Sequence, residues 1–403
     1  MTTILHISAD FPDAIGQEKT YAIRRLVESS KDHRHIVYSL NRFDGLVAIE
    51  GLACGIDRTA VAYAAPPKGI LMRTRLEAVA RWIAADLRRA GIRPDLVHAH
   101  KLAIEGIVAQ KLSEEFECRL AVSIQGDSDT KVLGVRRDLW TFYRRLVERA
   151  DGLMSVSRWP VARLKPILGP AIDRCAVIPA QTNADELMIS QPAIAPKLVS
   201  VFHLNVWRRK GADTLARAAT IAGRQLPNLT IDIYGGGTAV IPLRKVLRRF
   251  DKDGRIRLAG PVPHDQVQSV LNGYSAFVMP SRRETYGLAY AEALFSGLPL
   301  IYSKGRGIDG MIPAGLGYAC DPFSPTDVAA GIVEVIAREA ELKRAIAAAQ
   351  ASSVLESLRM DASRQAYEAF LAAALMGQGA RGLAPSNAKA TASHMGLGLS
   401  SSS

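Results

Sequence analysis

Two carboxylates eight positions apart, Glu284 and Glu292, bracket a stretch that otherwise carries no formal charge. It reads Glu284-Thr285-Tyr286-Gly287-Leu288-Ala289-Tyr290-Ala291-Glu292-Ala293-Leu294-Phe295-Ser296-Gly297-Leu298-Pro299. The apolar run predicts a helix from near Gly287 to Ser296, stopped by Gly297 and Pro299 as helices commonly are. A helix apolar on every face is buried on every face, so Glu292 has no solvated side. A buried carboxylate needs partners, because leaving it unpaired is costly. Either a neighbouring arginine or the hydroxyls of a ligand would serve. Eight helical residues span ~12 Å, more than the ~5–9.5 Å between the carboxyls of a hydrolytic glycosidase pair. The two therefore suit opposite ends of an elongated ligand. Between them, the free N–H groups at Tyr286–Leu288 and the helix dipole favour an anion. A ligand with an anionic middle and hydroxyls at each end is a nucleotide sugar.

These residues need elements to hold them. Short apolar runs alternate with helix-period segments along the whole chain: strands at Ile4–Ser8, His35–Leu40, Asp95–Ala99, Arg119–Ile124, Gly152–Val156 and Ala176–Pro179, and helices at Glu18–Ser29, Leu71–Ala90, Ala103–Glu114 and Val135–Ala150. After the proline-containing stretch Ser190–Pro196, which reads as a linker, the alternation resumes. Strands are expected near 198–203, 229–234, 255–259, 276–279 and 298–302. Such alternation predicts parallel sheets covered on both faces. The expected organisation is two doubly wound α/β domains, 1–190 and 197–340, facing across a cleft. Helices at 341–376 follow and are expected to pack back on the first domain. The Gly-, Ala- and Ser-rich tail 377–403 reads as disordered.

Composition narrows the function classes. The 403 residues carry 51 basic and 39 acidic side chains, a net +12. Residues 1–190 hold 27 and 23 of these and the remainder 24 and 16, so both halves are basic. That suits anionic ligands or an anionic membrane surface; it does not by itself indicate nucleic acid, and none is expected as a partner. Four scattered cysteines (Cys54, Cys118, Cys175, Cys320) form neither a disulfide framework nor a zinc motif,. The first residues lack the pattern of a secretory signal and no apolar run reaches spanning length. A cytoplasmic protein is expected. No G-x-G-x-x-G follows any predicted strand, which argues against a dinucleotide oxidoreductase.

The segment around the two carboxylates resembles the E-x7-E motif of retaining glycosyltransferases of family 4, in the pattern E-x-[FY]-G-L-x3-E-A-x-x-x-G-x-P. The likeness extends to Asp95-Leu96-Val97-His98-Ala99-His100, to Ala150-Asp151-Gly152-Leu153-Met154-Ser155-Val156-Ser157, to Leu258-Ala259-Gly260-Pro261-Val262 and to Gly305-Arg306-Gly307-Ile308. The resemblance implies a GT-B fold of two Rossmann-like domains. It implies a nucleoside-diphosphate sugar as donor and a saccharide or lipid-linked acceptor. Polysaccharide or glycolipid biosynthesis is the expected setting, with peripheral association at the inner face of the plasma membrane in keeping with that role.

Carried over, Glu284 lies at the donor sugar and phosphate, and Glu292 at the ribose. The family's diphosphate-binding Arg and Lys fall on Val201-Phe202-His203-Leu204-Asn205-Val206-Trp207-Arg208-Arg209-Lys210-Gly211. Here Lys210-Gly211 fits, Phe202-His203 replaces the usual Gly-Arg, and Arg208 or Arg209 is expected to supply the missing cation. Thr285, Tyr286, Gly287 and Leu288 complete the donor side, with His203 and Gly235 bordering it. On the acceptor side the family pattern is blurred. Gly16 remains of a glycine pair, Gln125 stands where an acid–base residue is common, and His100 and Asp127 are cleft candidates. Asp127-Ser128-Asp129 has the spacing of a metal-binding pair but follows a first-domain strand, so neither metal nor cofactor is expected. The substitutions at Phe202-His203 and Gln125 also raise the alternative of a nucleotide-sugar-binding or scaffolding protein with weakened turnover.

Overall fold

A computed structural model describes residues 1–15, 19, 21–44, 48–66, 69–182 and 184–377. Gly16 and the tail beyond Gly377 lie outside the described residues. Eight strands form the first sheet: β1 (Thr3–Ser8), β2 (Arg34–Phe43), β3 (Glu50–Gly55), β4 (Arg58–Ala64), β5 (Leu96–Ala99), β6 (Arg119–Ile124), β7 (Gly152–Ser155) and β8 (Ala176–Val177). Their order is β3-β4-β2-β1-β5-β6-β7-β8, parallel throughout except where β3 pairs antiparallel with β4. The second sheet comprises β9 (Lys197–Val201), β10 (Thr230–Tyr234), β11 (Ile256–Gly260), β12 (Ala276–Val278), β13 (Leu300–Ser303) and β14 (Gly317–Cys320). Its order, β11-β10-β9-β12-β13-β14, is the doubly wound 3-2-1-4-5-6 arrangement,.

Central strands covered on both faces read as near-continuous apolar runs. In β1, Ile4, Leu5 and Ile7 are fully buried; in β12, Ala276, Phe277 and Val278 are too. Each sheet accordingly has its own core: Val79, Ile83, Ile107 and Tyr143 pack on the first, Leu215, Ala219, Ile332 and Leu294 on the second. The β3–β4 hairpin was not legible in the sequence. Residues 50–55 are mostly exposed and lack the alternation that marks a half-buried strand,. The helix Arg158–Leu168 was missed as well, because Pro160 and Pro166 sit inside it,. Where one helix was expected from 135 to 150, there are two, Asp127–Val135 and Trp140–Arg149, separated by a 3₁₀ turn.

The C-terminal helices divide between the domains. Glu339–Ala351 joins the second core through Leu342 and Ile346. Met360–Leu375 crosses back, and its Tyr367, Phe370, Leu371 and Ala374 pack on Ile4, Leu96, Ala121 and Met154 under the first sheet. The segment before β9 also leans on the second domain: the Met188 N–H donates to the Phe295 carbonyl at 2.7 Å and Ser190 Oγ to the Asn272 carbonyl at 2.8 Å. Two chain crossings thus tie the domains and leave the carboxyl ends of both sheets facing one cleft.

Candidate active site

In the second sheet β9 and β12 are neighbours from which the chain departs in opposite directions, and ligands bind outside such a switch point. The loops after these strands are the two basic and acidic segments singled out above. Lys210 Nζ donates to Glu284 Oε2, which also accepts from Ser281 Oγ at 3.2 Å. Both side chains are mostly enclosed, 18% and 13% exposed. The loops are stitched by the Arg282 N–H donating to the Arg209 carbonyl at 2.8 Å. Gly287 holds a left-handed φ of 84°, and a Cβ there would meet Tyr290 Cδ2 at 2.5 Å and Glu284 Cγ at 3.0 Å. Only glycine allows this approach. It opens the helix Leu288–Phe295, which has no side-chain cap; its first N–H groups lack intrahelical partners.

The cleft beside this corner has a volume of about 560 Å³. Arg209, Lys210, Glu284, Thr285, Tyr286, Gly287 and Leu288 line its second-domain wall, and Asp10, Lys101, Gln125, Asp127 and Ser128 belong to the other. The walls are joined at the Glu284 loop. The Thr285 carbonyl accepts from Ser157 Oγ at 2.6 Å and Trp159 Nε1 at 2.8 Å, and Arg283 Nε donates to Asp127 Oδ2 at 2.6 Å. Burial alone would raise the Asp127 pKa; Arg283, with smaller help from Lys131 and Arg209, overrides it and holds the carboxyl below its usual range. Asp127 is therefore an interdomain partner of the donor loop as well as a cleft residue.

Glu292 is buried, 6% exposed, and its Oε1 accepts from Thr182 Oγ1 at 2.7 Å. Among the described residues it has no arginine partner, so the ion-pair alternative fails. The adjacent Tyr286 hydroxyl is buried with no hydrogen-bond partner, and burial followed by the Glu292 charge raises its pKa. The two polar groups lie together behind the helix start.

The first-domain wall has a different chemistry. Asp10 and Lys101 form an ion pair at 2.5 Å at the ends of β1 and β5, the switch point of that sheet. Behind them Glu105 is fully buried and accepts from the Ala9 N–H at 2.6 Å; burial pushes its pKa up to about 8. Asp129 is fully buried too, accepting from the Ala103 and Gln125 N–H groups at 2.9 and 2.8 Å, with a pKa raised by burial to about 6. The two carboxylates of Asp127-Ser128-Asp129 thus diverge, one to Arg283 and one to the backbone. Beneath this wall His6, His98 and His100 bring ligand nitrogens within 4.8 Å of one another. Most of their ring nitrogens are paired, His6 Nδ1 with His100 Nε2 at 3.0 Å, His98 Nε2 with Ser123 Oγ at 2.8 Å and His98 Nδ1 with the Tyr367 hydroxyl at 3.1 Å, while His100 Nδ1 is buried without a hydrogen-bond partner. Burial, then neighbouring imidazoles, lowers all three pKa values, that of His100 to about 3.

Several expected positions fall elsewhere. His100 is 1% exposed and stacks on His6, so it supports the wall rather than facing the cleft. Arg208 is exposed with its guanidinium 4.4 Å from the Trp207 ring centroid, and Arg209 is the arginine at the cleft. Its own backbone turn occupies His203, whose Nδ1 accepts from the Asn205 N–H at 3.4 Å. Gly235 has a positive φ, and a Cβ there would meet the Phe202 carbonyl oxygen at 1.9 Å. Backbone proximity accounts for that glycine. Asp10, Lys101, Arg283 and Thr182 were missed; only Lys101, directly after Asp95–His100, carried a usable signal.

Residues 21–181 match the glycosyl transferase 4-like domain, and residues 186–352 match the glycosyl transferases group 1 family. A glycogen synthase of Mycobacterium tuberculosis is 26% identical over 267 residues, 64% of each chain. The GtfA subunit of the UDP-N-acetylglucosamine–peptide N-acetylglucosaminyltransferase of Streptococcus pneumoniae is 35% identical over 94 residues, which are 23% of this chain. The chain spans only 18% of that subunit's length. In fold it is similar to the lipopolysaccharide outer core galactosyltransferase WaaB (TM-score 0.66, 17% identity, 92% of this chain and 99% of that one). It is equally similar to Anabaena Alr3699/HepE in complex with UDP (TM-score 0.66, 14% identity, 92% and 100%). Two glycosyltransferase-family domains thus follow one another along the chain, on a GT-B fold that it shares over almost its whole length with solved structures such as WaaB.

Proposed function

We propose that the protein is a retaining glycosyltransferase that moves a sugar from a nucleoside-diphosphate sugar to a saccharide or lipid-linked acceptor. The observation that carries this reading is the Lys210–Glu284 pair beside Arg209 and the uncapped helix start, in a cleft with walls from both domains. Transfer breaks the bond from the anomeric carbon to a diphosphate oxygen and forms one to the acceptor oxygen, whose proton leaves with the departing phosphate. Negative charge grows on the diphosphate as it departs. Arg209, Lys210 and the free N–H groups of Leu288 and Ala289 are preorganised for that charge, and one such donor is worth ~3–4 kcal/mol in the barrier. Glu284 holds Lys210 and meets the sugar–phosphate end; Glu292 takes the ribose hydroxyls in exchange for Thr182.

Binding of UDP in the HepE structure supports a nucleoside diphosphate as the leaving group. The retaining outcome rests on the E-x7-E resemblance. The reaction asks for no metal, because side chains and backbone neutralise the diphosphate. Incubation with UDP-, GDP- and ADP-sugars, following release of the nucleoside diphosphate with and without EDTA, tests the reading. Release from one donor class that survives EDTA is the expected result. A scaffolding protein would bind a donor and release nothing.

A further inference from the structure

The helix Val240–Phe250 shows solvent a face of unusual charge. Arg244, Lys245, Arg248 and Arg249 are all exposed, and Lys252 extends the row. Arg244 and Arg248, and Lys245 and Arg249, are each four apart, so like charges stack along the helix surface and disfavour it. The last-turn pair is eased by the helix C-terminus; Arg244 and Lys245 are not. Nearby acids are committed elsewhere. Asp251 is buried and accepts from the Arg255 and Ile256 N–H groups at 3.0 and 2.7 Å, and Asp253 pairs with Arg255 at 3.2 Å. Among the described residues none of the four helix cations has an ion-pair partner. On the first-domain helix Met72–Arg89, by contrast, three of the five arginines are paired: Arg73 with Glu77, Arg88 with Glu115 and Arg89 with Asp86, at 2.7, 2.7 and 3.0 Å.

The same face ends in an exposed apolar tip, Ile241, 69% exposed, followed by exposed Pro242. The helix start is fixed to the donor loop, since Asn205 Oδ1 accepts from the Ala239 N–H at 3.0 Å. We propose that this face docks the protein on an anionic lipid bilayer, with the four cations among the headgroups and Ile241 at the acyl boundary. Unneutralised basic side chains beside an apolar residue match a charged interface with an apolar layer below it. A single-stranded nucleic acid would satisfy the charge, but the face presents no open aromatic ring for a base. Phe250 is covered by Arg217 and Arg249, 3.7 and 5.2 Å from its centroid. The docking is independent of the catalytic reading.

Co-sedimentation of the full chain with phosphatidylglycerol vesicles and with phosphatidylcholine vesicles tests the proposal. Binding to the first and not the second is expected, lost in high salt. Arg244→Ser/Lys245→Ser/Arg248→Ser/Arg249→Ser should weaken partitioning by roughly a hundredfold or more, and Ile241→Ser by several-fold. All five positions are exposed, so circular dichroism should be unchanged. The control Arg73→Ser/Arg88→Ser/Arg89→Ser also removes positive charge, but from ion pairs, and should bind vesicles as the parent does. Equal loss in both variants, wild-type binding by the quadruple variant, or retention on single-stranded RNA in place of vesicles would overturn the assignment.

Discussion

The two walls of the cleft are built on opposite principles. The second-domain wall keeps its charges at the surface: Lys210 and Glu284 pair at the rim, Arg209 lines it, and the helix behind them is apolar apart from Glu292. The first-domain wall buries most of its ionisable groups, with His6, His98, His100, Glu105 and Asp129 all beneath the surface and Asp10, Lys101 and Asp127 presented above. A wall of fixed surface charge is suited to a ligand whose charge must be matched. A wall whose ionisable groups are mostly buried instead sets the shape of its loops, as Glu105 and Asp129 do by accepting backbone N–H groups.

That contrast is broken most strongly by acid. The three histidines have folded pKa values below the ordinary 6.5, so the unfolded state binds more protons and stability is lost as pH falls from 6.5 toward the folded values,. Glu105 and Asp129 oppose this, because carboxyls with raised folded pKa values are favoured protonated; they stabilise at low pH and lose that as pH rises through about 8 and about 6. Three protons against two partly offsetting ones leave a net uptake on unfolding, so stability declines as pH falls below 6,. Stability should peak near neutrality and fall on both sides. Three of the four tryptophans, Trp82, Trp140 and Trp159, lie in the first domain, so fluorescence-monitored unfolding across pH reads it directly. A flat profile would mean the buried imidazoles titrate freely. Glu105→Gln should remove the alkaline decline and steepen the acid one, because the proton that Glu105 holds in the folded state no longer offsets the histidines,.

The donor wall is tested next. Glu284→Gln should lower transfer by about a hundredfold or more with nucleoside diphosphate affinity little changed. Glu292→Gln keeps the volume and removes a buried charge, a loss of ~1.5–3 kcal/mol, or roughly 10- to 150-fold in nucleotide affinity. Exchanged phenotypes would reverse the two roles. The smallest effect belongs to the bridge between walls. The Arg283 side chain is 38% exposed, so Asp127→Asn should cost less than about 1 kcal/mol of interdomain coupling,. Small-angle scattering should then show a wider spread of domain orientations without loss of nucleotide binding. An unchanged profile would mean that Ser157 and Trp159 hold the loop unaided.

The difference between the walls also explains what the sequence revealed. The donor corner comes largely from one contiguous run, Glu284–Pro299, where a helix start, a glycine at positive φ and two carboxylates leave their pattern in adjacent letters. The parallel strands followed from alternation alone. The acceptor wall joins Asp10 after β1, Lys101 after β5 and Gln125 after β6, positions that only the strand order brings together. A lone Asp or Lys after a strand has no local signature. His100 misled for the same reason: its partner His6 is 94 residues away, and nothing in the local pattern shows that the two stack under the sheet. The Thr182 contact to Glu292 spans 110 residues and was equally hidden.

The claim on which the account depends is that the Lys210 corner receives a nucleoside diphosphate. Calorimetric titration with UDP, GDP and ADP, on the parent protein and on Lys210→Ala, addresses it directly. The account predicts that at least one nucleotide binds the parent at one site per chain, and that Lys210→Ala weakens it at least about tenfold, in line with loss of one charged hydrogen bond. Equal affinity in the two proteins, or no binding of any of the three nucleotides by the parent, would contradict it.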